Sequence, residues 1–553
     1  MAASSIPTEQ TWDPNSLLVY DALPHRQDFN SLIHDAQSTV ESRTDFYDRS
    51  LTSRKYALVG VACSSIFSCS CIVTGIVTLA HHGVSGVTVT DMVFIEPINA
   101  MIPITQFDLR QREILTLILN LIVTLCTESI GFVHGISLRS ALTSESRLHF
   151  NTNLRLLTAA RGWYNPNGAL LNGIMTVLLI VSYTSSSIVL CYNTDFGSYS
   201  SDVTESIAIA GLPLLSLGVA LLLQVVITLS GMRAVKILTW SSSPFDLTAA
   251  LVHHAQLTPV TYRCMRCVSD RDVDGGPAKP SVTQPSAWHA HPSIRKVVIS
   301  LWGIVIGYAG WAALIMYIWD KYPSTRMSTN PPLPTWSFFP NRNPSSIAYI
   351  IPDFNMQGWI LIYVNLAIVQ APLTLGLHCS ELIANVIQDE RQWRCATRKQ
   401  GIRVATNPLK STFTHVVCLV LFLAKPFLHW MFGLSFFVDG LAGDETVEKF
   451  VLGMYVAQIW NLCIALFLIA CFFTLFSLRR PRGPQPATYG HIQTLANLVD
   501  EWSPVMWWGH KQDQIPYCHA GRETSDHPLP DVKMDCVYAG FGIESPASVS
   551  SLS

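Results

Sequence analysis

Residues 451–477 read VLGMYVAQIWNLCIALFLIACFFTLFS, a run without one Asp, Glu, Lys or Arg. A bilayer core about 30 Å thick is crossed by ~20 apolar residues at a rise of about 1.5 Å each. Helices buried in soluble proteins rarely extend so far without a charged face. Working outward, comparable runs occur at 56–80, 114–137, 168–191, 207–229, 297–319, 357–378 and 412–438. Those at 168–191, 207–229 and 297–319 also lack charge entirely. The sequence therefore predicts an all-α polytopic membrane protein with eight transmembrane helices, whose first partner is the lipid bilayer. The weakest span is 357–378. Asn365, Gln370 and Pro372 within it predict a broken or re-entrant segment.

Composition agrees. Charged residues make up 13% of the 553 positions and the formal net charge is −2. Soluble domains carry about 25%. A near-neutral chain offers no basic face for nucleic acid. The first 55 residues are polar, and the first apolar run is too long for a signal-peptide core, so it is expected to serve as its own insertion signal. The 14 cysteines fall mostly in spans or in the more basic connections, which argues against a disulfide scaffold. Cys191 has no partner in sight on the less basic side.

The loops set the expected orientation. Lys and Arg alternate completely between connections: the two tails with 138–167, 230–296 and 379–411 hold 29, and the other four loops hold 6. Cytoplasmic loops carry the positive excess, so both termini are expected in the cytoplasm. The expected organisation is an N-tail 1–55, a four-span half 56–229, a cytoplasmic loop 230–296, a second four-span half 297–477 and a C-tail 478–553. On the other side, 192–206 is short and acidic. Residues 320–356 are rich in Pro and aromatics, a composition that resists regular structure.

Short matches suggest that the halves are tandem copies. Arg54-Lys55 and Arg295-Lys296 precede the first and fifth spans. Asn120-Leu121 answers Asn365-Leu366, Asn165-Pro166 answers Asn407-Pro408, and Thr228-Leu229 answers Thr474-Leu475. Leu251-Val252 and Leu498-Val499 follow. The separations stay between 241 and 247 residues. Pairs of two residues can also arise by chance. If they are copies, four spans each places both halves the same way up about an axis along the membrane normal.

In the loop 230–296, Ser243-Pro244-Phe245-Asp246 is a helix start, with a Ser cap, Pro at the first position and an acid at the third. It opens a short amphipathic helix over 247–257. In the C-tail Ile492, Leu495, Leu498, Val499 and Trp502 recur at helical spacing. These two helices are expected to lie on the membrane face or on each other, and to be where a cytoplasmic partner would bind. Trp502, Trp507 and Trp508 suit a membrane interface or ordinary packing.

The stretches CTESIGFVHGISLRSAL (126–142), WSSSPFDLTAALVHH (240–254), AWHAHPSIRKVVISLW (287–302) and PATYGHIQTLANLVDEW (486–502) resemble segments of uncharacterised multi-pass membrane proteins of mushroom-forming fungi. The resemblance covers most of the chain. It implies an integral membrane protein of fungal type and carries no function.

Motifs for chemistry are weak. Gly83-Val84-Ser85-Gly86 matches a rhomboid-protease GxSG but lies in a loop without the matching His context. Cys264 and Cys267 form one CxxC with His253 and His254 upstream. A second CxxC is missing, so two free thiols are the expected state rather than zinc. His510, Cys518, His519 and Cys536 form a looser group. No HExxH, Walker A or dinucleotide fingerprint occurs. The expectation is no catalytic residue, no metal and no cofactor.

What remains is polar residues inside spans: Glu128, Lys425, His429, His134, Asn120, Asn365 and Gln224. A charge at a helix centre costs about 2.5–3.5 kcal/mol on insertion scales, so such groups turn inward and pair. Glu128 lies about 14 Å from the cytoplasmic end of the second span and Lys425 about 20 Å into the seventh, within reach of a long Lys side chain. Pro426 frees the Phe422 carbonyl, which Lys425 or His429 could satisfy. The competing expectation is that Glu128 meets Thr124, Thr127 or Ser129 and only fixes packing. These groups favour a transporter or channel of unknown substrate. The alternative is a non-catalytic scaffold or receptor-like protein. A polar cavity reaching mid-membrane would favour the first, and a dry interior the second.

Overall fold

The computed structural model describes residues 51–82, 87–88, 109–195, 204–260, 262–270, 276–326, 337–340, 345–351, 356–403, 415–442, 449–500, 502, 505–513, 517–523 and 528–539. The GxSG stretch, most of the N-tail and Asn407-Pro408 lie outside them. Eight helices among the described residues are long and apolar enough to cross a membrane. They are α1 (Leu51–His82), α2 (Leu109–Ser144), α3 (Ala169–Ile188), α4 (Gly211–Arg233), α6 (Pro292–Lys321), α7 (Met356–Cys379), α9 (Val416–Leu434) and α10 (Val456–Leu478). Shorter helices include α5 (Pro244–His253), α8 (Glu381–Trp393) and α11 (Ile492–Leu498).

The bundle is a soluble core inverted. Ile66, Val73, Ile306, Ile368 and Leu475 are exposed, whereas Asn120, Thr124, Ser185 and Gln370 are fully buried. Water would not tolerate that arrangement, and a bilayer rewards it. Lipid tails satisfy apolar side chains, while polar groups find partners only between helices. Small residues let the backbones approach. At Gly218 on α4 a Cβ would sit 2.8 Å from the Ser68 carbonyl of α1, and the Ser68 hydroxyl donates to the Gly218 carbonyl.

Three sequence expectations need correction. First, α7 crosses unbroken with Pro372 inside it, and after Ser380 the chain continues as α8, so this span is not re-entrant. Second, the apolar runs at 168–191, 207–229, 412–438 and 451–477 are not helical throughout. Their ends are strands β2 (Leu190–Asp195), β3 (Thr204–Ile209), β6 (Phe436–Ala442) and β7 (Lys449–Tyr455). Hydropathy does not separate an apolar helix from an apolar strand continuing it. The helices still reach, since the 20 residues of α3 and the 19 of α9 give about 28–30 Å at the α-helical rise. Third, the Pro-rich loop holds a strand, β4 (Ser346–Ile351). With β1 (Val87–Thr88) these strands form one six-stranded sheet across one end of the bundle, ordered β1-β3-β2-β6-β7-β4. Only the central pair β2–β6 is parallel, with Tyr192 opposite Asp439 and Asp195 opposite Ala442.

At the opposite end, the loop after α4, helix α8 and the C-tail build one lobe rather than separate pieces. Phe245, Trp393, Leu495, Met506, Trp508 and Tyr538 share its core. α5 and α11 pack on each other, and α5 is buried from Pro244 to Leu251 instead of lying on a membrane face. Trp508 is likewise buried, beside Trp393. α8 clasps the tail. Glu390 accepts the backbone N–H groups of Thr488 and Tyr489, both at 2.9 Å, and Trp393 Nε1 donates to the Pro486 carbonyl at 2.7 Å. A small sheet of β5 (Ile402–Arg403), β8 (Val505–Gln512) and β9 (His519–Glu523) completes the lobe.

Candidate functional site

A cavity of about 280 Å³ enters the bundle from the lobe end, between α2, α7, α8, α9 and the segment after α2. Glu128 of α2, His378 of α7, Glu381 of α8 and Lys425 of α9 line it together with Arg155. Lys425 is 1% exposed. Its ammonium donates to both the Glu128 and the Glu381 carboxylates. His378 Nδ1 lies 2.9 Å from Glu381 Oε1 and 3.9 Å from Glu128 Oε1. Arg155 Nη2 lies 3.7 Å from Glu381 Oε1. Two carboxylates thus meet two cations, and the pairing offsets the cost of burying the Lys425 ammonium.

Local sequence explains the geometry. Ser380 keeps the helical conformation between α7 and α8, so Glu381 follows His378 by about one helical turn on the same face. Gly131 and Gly135, one turn apart on α2, open a groove that Arg155 fills. A side chain at Gly131 would collide with the Arg155 guanidinium. At the mouth, Arg139 Nη1 donates to Asn151 Oδ1 at 2.8 Å and Asn151 Nδ2 donates to Asp389 Oδ2 at 3.1 Å.

Beyond Lys425, toward the sheet, a ladder of buried polar groups continues. The Tyr183 ring stacks on His429 with centroids 3.7 Å apart. The Tyr183 hydroxyl donates to Thr124 Oγ1 at 3.2 Å and lies 3.1 Å from Thr127 Oγ1. Ser186 donates to Asn120 Oδ1 at 3.0 Å, and Gln370 Nε2 lies 3.2 Å from His429 Nδ1. Gln370 Oε1, His378 Nε2 and His429 Nε2 are buried with no hydrogen-bond partner among the described residues. Such groups are rare and call for water or a solute beside them.

The sequence candidates divide. The structure brings Glu128 and Lys425 into one site, with His429 just past it. Thr124, Thr127 and Ser129 bond to the carbonyls of Asn120, Thr124 and Leu125 on their own helix rather than to Glu128. His134 (3.1 Å to Asn172 Oδ1), Gln224 (2.9 Å to Ser182 Oγ) and Asn120 tie helices to α3 away from the cavity. Asn365 is exposed and donates to the Leu361 carbonyl of its own helix, because it sits on the outer face of α7. Sequence reading missed Glu381 and Arg155. Glu381 stands three residues past the span's apparent end, and its i,i+3 spacing from His378 was the available signal. Arg155 is in a loop, and only the Gly131-x3-Gly135 groove hinted at something seated there.

In the lobe, Cys264 and Cys267 do not converge with His253 and His254. Cys264 is buried beside His519, and the Cys267 thiol meets Asp270 Oδ2 at 3.0 Å. Burial pushes His519 down, but Asp500, 2.8 Å from Nε2, and Cys264 outweigh it and hold the imidazole up at about 9.

Eight apolar spans around a charged mid-bundle site define an integral, multi-pass helical membrane protein. No protein-family model, no curated protein and no solved structure matches the chain.

Proposed function

We propose that the protein is a transporter of small polar solutes, with Lys425, Glu128 and Glu381 as its binding floor. The carrying observation is a buried ammonium shared by two carboxylates at a cavity that further polar groups line, Arg139, Asn151 and Asp389 among them. A packing role needs neither a cavity nor unpartnered polar atoms. Here both lie in line along the bundle. The volume of about 280 Å³ suits a compact solute. The scaffold or receptor-like reading draws its support from the ordered lobe, which offers a surface to a cytoplasmic partner.

Two further readings belong to this proposal. The basic tails and loops favour a cytoplasmic lobe and cytoplasmic termini, which would make the cavity face the cytoplasm. The halves are tandem copies. Exchanging β1 with β4, β3 with β7 and β2 with β6 leaves the sheet order unchanged, and a parallel central pair is what a two-fold axis along the strands requires.

An uptake screen in proteoliposomes tests the function. A panel of amino acids, sugars, carboxylates and nucleosides is offered to the wild type and to Glu128→Gln and Lys425→Met proteins. Uptake of one class by the wild type, lost in both variants, is expected. Uptake that survives in both variants removes the site from the proposal. No uptake of any class moves the balance to the scaffold reading.

A further inference from the structure

The lobe ends in a short β-structure, and small folds are commonly held together by a metal or by disulfides. Three chain segments converge at its edge. β8 delivers His510 and, just beyond the strand, Asp513. The residue before β9 is Cys518. The returning chain brings Cys536 before the bridge that pairs Cys518 with Tyr538. One ligand atom from each of Asp513, Cys518 and Cys536 lies within 4.8 Å of the other two. His510 Nε2 stands 3.2 Å from Asp513 Oδ1.

We propose that His510, Asp513, Cys518 and Cys536 form a structural zinc site. Two thiolates, an imidazole and a carboxylate form a donor set suited to tetrahedral zinc, and a closed set of four leaves no open position for catalysis. Ligand atoms around tetrahedral zinc stand about 3.3–3.8 Å apart given bonds of about 2.0–2.3 Å, so the three need to close by about 1 Å. The surroundings are arranged for it. His510 Nδ1 lies 2.9 Å from the Tyr538 hydroxyl, which also accepts the Lys533 backbone N–H, and this turns Nε2 toward the site. Such outer partners orient metal-binding imidazoles. Asp513 divides its oxygens. Oδ2 takes the Lys533 ammonium, and Oδ1 faces His510 and Cys518. Sequence reading grouped His510, Cys518 and Cys536 with His519. The structure removes His519, which is committed to Asp500, and supplies Asp513 in its place.

The other titratable cluster that a metal could claim, Glu128, His378 and Glu381, is a poorer candidate for zinc, because it offers no thiolate and two cations, Lys425 and Arg155, stand against its carboxylates.

The test is metal analysis of the full-length protein purified without chelators. One zinc per chain is expected, lost in Cys518→Ser and Cys536→Ser proteins and retained in Cys267→Ser. Reconstitution with cobalt should give a thiolate-to-cobalt charge-transfer band. Should the Ser variants fail to fold, alkylation of the wild type with mass readout decides instead. Cys518 and Cys536 should be protected until a zinc chelator is added, with Cys395 as the exposed-side control. Absence of zinc together with no cobalt band overturns the proposal. So does a Cys518–Cys536 disulfide, or alkylation of both thiols at the same rate with and without chelator.

Discussion

Lys425 holds α9 to α2 and α8 at once, and a shared ammonium has an asymmetric consequence. Removing it leaves two carboxylates facing each other, whereas removing Glu128 leaves Lys425 still paired with Glu381. Stripping one partner from a buried ion pair costs about 3–5 kcal/mol. Lys425→Met should therefore lose about that much in thermal unfolding of the detergent-solubilised protein. Glu128→Gln should lose less, about 1–3 kcal/mol, since the amide still accepts a hydrogen bond. The double variant should recover at least 0.5–1 kcal/mol relative to the sum. Strict additivity would mean that the two side chains do not interact. The rest of the site was only partly legible in the residues. The cost of an unpaired charge in lipid singles out Glu128 and Lys425 wherever they occur in a span. It says nothing of Arg155, which reaches the site from a loop, or of Glu381, which lies past the hydrophobic stretch.

Among the elements, the run from α7 into α8 contributes most to the cavity, because it carries Glu381 into the wall with Cys379 beside it. A water-filled cavity makes that thiol reachable. With the proposed orientation, a membrane-impermeant thiol reagent should label Cys379 in inside-out vesicles and not in intact cells. Cys463, buried in α10 against the Val305 carbonyl, should stay unlabelled from both sides. Peptide mass spectrometry reads both positions. Labelling from outside would reverse the orientation, and no labelling from either side would mean a dry cavity. The spans themselves were legible because a lipid-crossing helix has one physical requirement, an unbroken apolar length. The strands were not, since their helix-side parts, residues 436–438 (FFV) and 451–455 (VLGMY), continue the apolar runs of the helices they join.

For the whole molecule, the two four-span halves meet along α2–α9, α3–α7 and the central strands. Each half alone would present its polar interior to lipid. Glu128 and Tyr183 belong to the first half, and their partners Lys425 and His429 to the second. The chain cut between Asp270 and Gly276 and expressed as two pieces should therefore co-purify as a pair through a tag on one piece. Either piece alone should be degraded or aggregate. A first piece that accumulates as a monodisperse species by itself would contradict this dependence.

The sheet has a mechanical consequence. Its central strands lock the halves together at one end through four residue pairs. At the other end the lobe ties them again, since the Asn151 N–H bonds the Gly490 carbonyl and the Ile492 N–H bonds the His149 carbonyl. A body clamped at both ends does not open as tweezers do. Its slack lies between the clamps, at the level of Lys425, where the halves meet through side chains. Bowing of the helices there changes the width of the cavity while both ends hold.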